Sequence, residues 1–208
     1  MAREADTIGG FNSLIAKQKK EEGTALISTV LFDDHAEVLY DRISLDRIEP
    51  MNDRQYYVRG CTALLDALGG AIHHIGNVHK YAREEDRPEK TIFIITTDGM
   101  ENSSHRYTYD KVKKMVERQR DRYGWEFLFL GANIDAIEVA GRFGVQANRA
   151  VNYECDSEGT QLNYEVLSKA VSRVRTCAAP TAAMAFDECD DWAEEIRADY
   201  SKRHRGRR

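Results

Sequence analysis

Residues 91–97 are a short, almost wholly apolar run of β-branched and aromatic side chains that ends on Asp98 and Gly99, with polar residues beyond. A run this short with no polar alternation fits a strand buried on both faces, and such strands belong to parallel sheets covered by helices. Ligands of open sheets of that kind bind beyond the carboxyl ends of the strands, which places Asp98 at the functional rim. A carboxylate there can hold a metal ion; next to glycine it can equally cap a turn.

The neighbouring segments keep the same beat. Ile8, Phe11, Leu14 and Ile15 recur at helical spacing within residues 6–22, with Asp6 as a cap and Gly23 as a stop. Residues 25–32 and 36–40 are strand candidates around a polar turn, an antiparallel hairpin expected at the edge of the sheet. After a polar connection, Leu64, Leu65, Leu68, Ile72, Ile75 and Val78 mark a long helix starting near residues 60–62 and ended before Pro88. Thr108 opens a helix bearing Val112, Met115 and Val116, and Gly124 closes it before a second buried strand at 125–130. Asp135 and Glu138 have capping-box spacing ahead of Ile137, Ala140 and Phe143. Residues 150–153 suit a last strand, 160–178 a helix with Tyr164, Leu167, Val171 and Val174 inward, and 187–200 a further helix around Trp192 and Ile196.

This alternation predicts an α/β fold: a doubly wound, mainly parallel, Rossmann-like sheet with helices on both faces. A chain of 208 residues with 42% apolar content can bury one substantial core. Residues 1–178 are expected to form that domain and 179–208 an extension with a basic tail.

Composition narrows the partners. Thirty Lys and Arg against 35 Asp and Glu leave a formal charge of -5, with no general attraction to nucleic acid. Residues 202–208 are the basic exception and fit a disordered tail better than a binding arm. No run approaches the roughly eighteen apolar residues of a membrane helix, and the N-terminus lacks a signal-peptide core, so the expectation is a cytoplasmic protein that does not enter membranes. Cys61, Cys155, Cys177 and Cys189 follow no metal-finger spacing and are expected to be reduced thiols. His73, His74 and His79 point to different sides of one helix and cannot share an ion. Trp125, Phe127 and Phe129 alternate along a strand and suit core packing rather than base stacking. No GxSxG elbow, GxxxxGK[ST] phosphate loop or GxGxxG fingerprint is present, and catalysis is not expected. Two alternatives stay open: an enzyme using rim carboxylates such as Asp98 and Asp135, and nucleic-acid binding through the tail.

Three stretches carry a resemblance: 60–67 (Gly-Cys-Thr-Ala-Leu-Leu-Asp-Ala), 96–102 (Thr-Thr-Asp-Gly-Met-Glu-Asn) and 129–135 (Phe-Leu-Gly-Ala-Asn-Ile-Asp). With the hairpin after the first helix, they make residues 6–178 resemble the von Willebrand factor type A family, whose members carry a metal-ion-dependent adhesion site at the sheet rim. The resemblance implies that Thr62 and Asp98 contact Mg²⁺ or Mn²⁺, with Asn102, Ser103 and Ser104 extending the polar rim. It also implies a protein partner whose acidic side chain completes the coordination.

The family's first motif, Asp-x-Ser-x-Ser, occurs nowhere in the chain, and neither does the central strand before it. The expectation is therefore an incomplete site that binds metal weakly or not at all, a sheet without its first strand, and unpaired edges that invite self-association or pairing with another chain. It also follows that the native start lies upstream of Met1.

Overall fold

The computed structural model describes residues 2–57, 60–188 and 191–204. Its elements run α1 (Ala2–Gln18), β1 (Leu26–Phe32), β2 (Ala36–Ser44), α2 (Leu64–Tyr81), β3 (Ile92–Thr97), α3 (Tyr109–Tyr123), β4 (Glu126–Gly131), α4 (Ala136–Arg142), β5 (Ala150–Asn152), α5 (Ser157–Thr176), α6 (Ala182–Asp187) and α7 (Glu194–His204).

The strands β3, β4 and β5 form a parallel sheet in that order, with Ile92 opposite Glu126, Thr97 opposite Gly131 and Phe129 opposite Ala150. All six residues of β4 are buried, as befits the middle strand. One face packs Phe127 and Phe129 against Leu68 and Ile72 of α2, Val112 and Val116 of α3 and Ala140 of α4. The other packs Leu128 and Leu130 against Val166 and Leu167 of α5, Phe186 of α6 and Ile196 of α7. Each such side chain contributes about 1.5–3 kcal/mol by leaving water, so β4 anchors the fold.

Predicted caps operate where the sequence offers them. The Thr108 hydroxyl accepts from Lys111 N, and the Asp135 carboxylate from Glu138 N at 3.0 Å. Gly124 ends α3, its N–H donating to Arg120 O and Gln119 O. Trp125, Phe127 and Phe129 are core residues, with Phe93 stacked on Trp125 at 5.4 Å.

Several expectations need correction. The hairpin β1–β2 is a separate two-stranded sheet and not the edge of the main one, because nothing among the described residues bridges β1 to β3. The first helix spans Ala2–Gln18, so Asp6 sits inside it rather than capping it. The long helix starts at Leu64, and Gly60–Ala63 remain a loop. Ile137 is 46% exposed; Ala136 and Val139 take the inward positions of α4. Beyond Pro180, α6 was not anticipated and α7 runs to His204, so the basic tail is helical as far as it is described. Arg203 there pairs with Asp156 and Asp199. Residues 205–208, Cys189 and residue 190 of the expected 187–200 helix lie outside the described residues.

Helix α1 lies across α5. Gln18, 2% exposed, donates to Ser168 O at 3.0 Å and Ser172 Oγ at 3.0 Å, while Arg175 donates to the carbonyls of Gln18, Glu22 and Gly23. Gly10 permits the approach: a Cβ there would stand 2.1 Å from the Tyr164 ring.

Candidate functional site

The carboxyl ends of β1 and β3 meet at one rim, organised around the loop before α2. Ala63 N donates to Asp33 O just past β1, at 2.5 Å, and Asn102 N donates to Thr62 O at 3.0 Å. Thr62 N donates in return to Asn102 Oδ1 at 2.9 Å. Threonine 62 is thus clamped through its backbone, leaving its hydroxyl to face the β3 turn.

That turn is tight. Thr97 Oγ1 donates to Gly99 O at 3.0 Å and accepts from Gly99 N at 3.3 Å, which turns Asp98 outward into solvent. A Cβ on residue 99 would lie 3.3 Å from Thr62 Oγ1, so glycine is what lets the hydroxyl settle beside the Asp98–Gly99 backbone. The two residues singled out by sequence are therefore brought together: Thr62 half-buried, Asp98 exposed.

Polar groups below the rim hold this arrangement. Glu101 accepts from Leu65 N at 2.8 Å and from Ser104 Oγ at 2.8 Å through one oxygen, and from Ser103 N and Ser104 N through the other. It serves as the cap that α2 lacks in its own sequence. Asp66 accepts from His105, Arg106 and Tyr107 N, each at 2.9 Å. Burial opposes its ionisation, but the three amides together outweigh that and hold its carboxyl below the usual carboxylate range.

Asn102, Ser103 and Ser104 do not extend the rim toward a ligand as expected. Asn102 Oδ1 is engaged by Thr62 N and by Ser103 Oγ at 2.7 Å, and Ser104 Oγ by Glu101. Asp135, the second carboxylate of the enzyme alternative, caps α4. The three histidines part company as predicted: His74 meets Asp41 at 2.9 Å, His79 lies edge-on to Trp125 at 5.2 Å, and His73 is exposed.

Sequence reasoning missed the tyrosines and thiol around Asp98. Cys155 Sγ stands 4.0 Å from Asp98 Oδ2, and Asn133 Nδ2 donates to Asp98 O at 3.3 Å. Tyr153 is 7% exposed; burial, then Cys155 and Asp98, push its hydroxyl well above the ordinary phenol value. Burial raises Tyr56 too, with Asp98 adding to it despite a bond to Thr7. Both stay neutral phenols beside the carboxylate. The signal was the position of Tyr153 and Cys155 just past β5, at the same rim. Cys61, Cys155 and Cys177 are free thiols.

Oxygens committed to Asn102, Ser103 and Ser104 leave Thr62 and Asp98 as the hard donors at the β3 turn, a set that fits a largely hydrated Mg²⁺ or Mn²⁺ and nothing tighter. A second group, Asp33, Asp34 and His35 in the hairpin turn, has ligand atoms within 4.8 Å of one another, but His35 Nδ1 already lies 2.6 Å from Asp34 and 3.1 Å from Asp33.

Neither a protein-family model nor a curated protein sequence matches the chain. Among solved structures it is similar to proximal thread matrix protein 1 from the mussel byssus, with a TM-score of 0.54 and 14% identity. The similarity covers 82% of this chain and 41% of that one, and it concerns the fold alone. No described helix is long and apolar enough to cross a membrane.

Proposed function

We propose that the chain is a protein-interaction module of von Willebrand factor A type, with a doubly wound sheet lacking its central strand and a rim that keeps Thr62 and Asp98 from a metal-ion-dependent adhesion site. The observation that carries this is the placement of the Thr62 hydroxyl against Gly99, beside the exposed Asp98 carboxylate. An unrelated fold has no reason to clamp a threonine backbone at both N–H and C=O while freeing its hydroxyl toward a strand-end aspartate.

Thr62 and Asp98 would hold Mg²⁺ or Mn²⁺, and the bound ion would offer open positions to an acidic side chain of a partner protein. This chain's own residues contribute orientation: Asn102 fixes the Thr62 backbone, Glu101 and Asp66 fix the two loops, and Tyr56 and Tyr153 keep water and charge away from one side of Asp98. With so few protein oxygens, binding is weak. The enzyme reading loses support because Asp135 is engaged in its cap.

A thermal-shift titration with Mg²⁺ and with Mn²⁺, on the protein and on Asp98→Ala, tests the reading. The expected result is a small, saturable stabilisation at millimolar ion that Asp98→Ala abolishes. An equal response in the variant would move the ion elsewhere.

A further inference from the structure

The largest cavity in the molecule, about 1320 Å³, lies between the two sheets, and all seven residues of β1 and all six of β3 line it. It exceeds the roughly 300–1,000 Å³ of small-molecule pockets. Its walls are apolar on both faces, Leu64 and Leu68 of α2 on one, Tyr164, Leu167 and Val171 of α5 on the other.

Strand β1 is paired on one edge by β2, and β3 on one edge by β4. The facing edges have no strand partner among the described residues, so their backbone groups line an apolar slot without a ladder. The strands also point the same way, since Asp33 beyond β1 and Gly99 beyond β3 both abut residues 62–63. Ile94 at 37% and Leu26 at 51% are left exposed along these edges.

A second, independent sign is polar. Asn163 of α5 lines the slot, is 3% exposed, and its Oδ1 has no hydrogen-bond partner. A buried carbonyl left unsatisfied is costly, so it wants a donor from whatever enters.

From these we infer that the slot between β1 and β3 is a receptor for one extended polypeptide strand donated by another protein. The occupant is apolar at odd and even positions, rich in Val and Ile because both faces meet packed helices, with one Thr or Ser turned toward Asn163. Two neighbouring ladders then form at once. No apolar extended segment of this chain is free to fill the slot from a second copy: its described apolar runs of strand type are already β1 to β5, and the loops around Asn52, Glu85 and His105 are polar. The inference does not depend on the metal reading, since none of its observations involves an ion.

The probe is a synthetic peptide of roughly eight Val, Ile and Thr residues with Lys at each end, long enough to span β3. Its control carries Pro at two central positions and cannot donate to a ladder. Amide hydrogen exchange of the whole chain is followed with and without each peptide. The expected result is protection of residues 26–32 and 92–97 by at least about tenfold with the first peptide and none with the second. A further variant, Asn163→Leu, is expected to make the free protein more resistant to heat while removing its preference for a Thr-bearing peptide over an all-Val one. Equal protection by the Pro peptide, protection confined to the outer edges of β2 or β5, or a peptide-independent dimer that already protects both strands would each overturn the inference.

Discussion

Glu101 gives the sharpest quantitative prediction, because one carboxylate ties the β3 turn to the start of α2. Glu101→Ala removes the acceptor for Leu65 N, Ser103 N, Ser104 N and Ser104 Oγ. Hydrogen bonds to a charged group contribute about 1.5–3 kcal/mol each when buried, but these lie at a half-buried rim where water can replace part of them. Loss of a helix cap alone costs about 1–2 kcal/mol. The net expectation is a loss of about 2–3 kcal/mol, which for a chain of this length lowers the thermal midpoint by about 4–12 °C. Circular dichroism melts and urea titration read the loss, and hydrogen exchange at Leu65 localises it. Glu101→Gln, which keeps a carbonyl acceptor, is expected to lose less than half as much. A change under about 0.5 kcal/mol in Glu101→Ala would refute the claim that this side chain joins the two loops.

Gly99→Ala pushes a methyl group to 3.3 Å from the Thr62 hydroxyl and is expected to weaken Mn²⁺ binding several-fold while leaving stability within about 1 kcal/mol, measured by calorimetry and by melting. Gly10→Ala must force α1 off the Tyr164 ring, costing about 1–3 kcal/mol in a denaturant titration, part of it recovered by Tyr164→Leu in the same chain. Arg149→Leu strands the buried Glu126, whose carboxylate it meets at 3.0 Å, and costs about 3–5 kcal/mol at neutral pH. Burial already pushes the Glu126 carboxyl up in spite of Arg149, so the native state holds that proton more readily than the unfolded chain. Stability therefore falls as pH rises through the window above the unfolded value of about 4.3, and the variant's deficit is expected to be larger at high pH than at low in paired urea titrations.

The strands and helices of the core were legible because their apolar periods are strong: Leu64 to Ile75 on α2, and the unbroken run of β4. The adjacency of Thr62 and Asp98 was legible too, from strand-end placement and motif together. What escaped was set by tertiary contact. Nothing local marks Glu101 as the cap of a helix beginning 37 positions earlier at Leu64, because that bond needs the turn of β3 to fold back. Ile137 reads as inward by spacing, yet Ala136 and Val139 fit closer under β4. Ser103 and Ser104 look like ligands in a string of polar residues, and only the loop's own hydrogen bonds show them occupied. The hairpin was placed correctly in order and wrongly in pairing, since the gap beside β1 depends on a strand that the sequence does not contain.

The ion-binding claim is met most directly by Mn²⁺ broadening of amide resonances in the isotopically labelled protein, because paramagnetic relaxation marks position and not merely affinity. The account predicts that substoichiometric Mn²⁺ broadens residues 61–63 and 97–100 first, and that Asp98→Ala restores them. Broadening centred on Asp33, Asp34 and His35, with residues 62 and 99 left sharp, would contradict it.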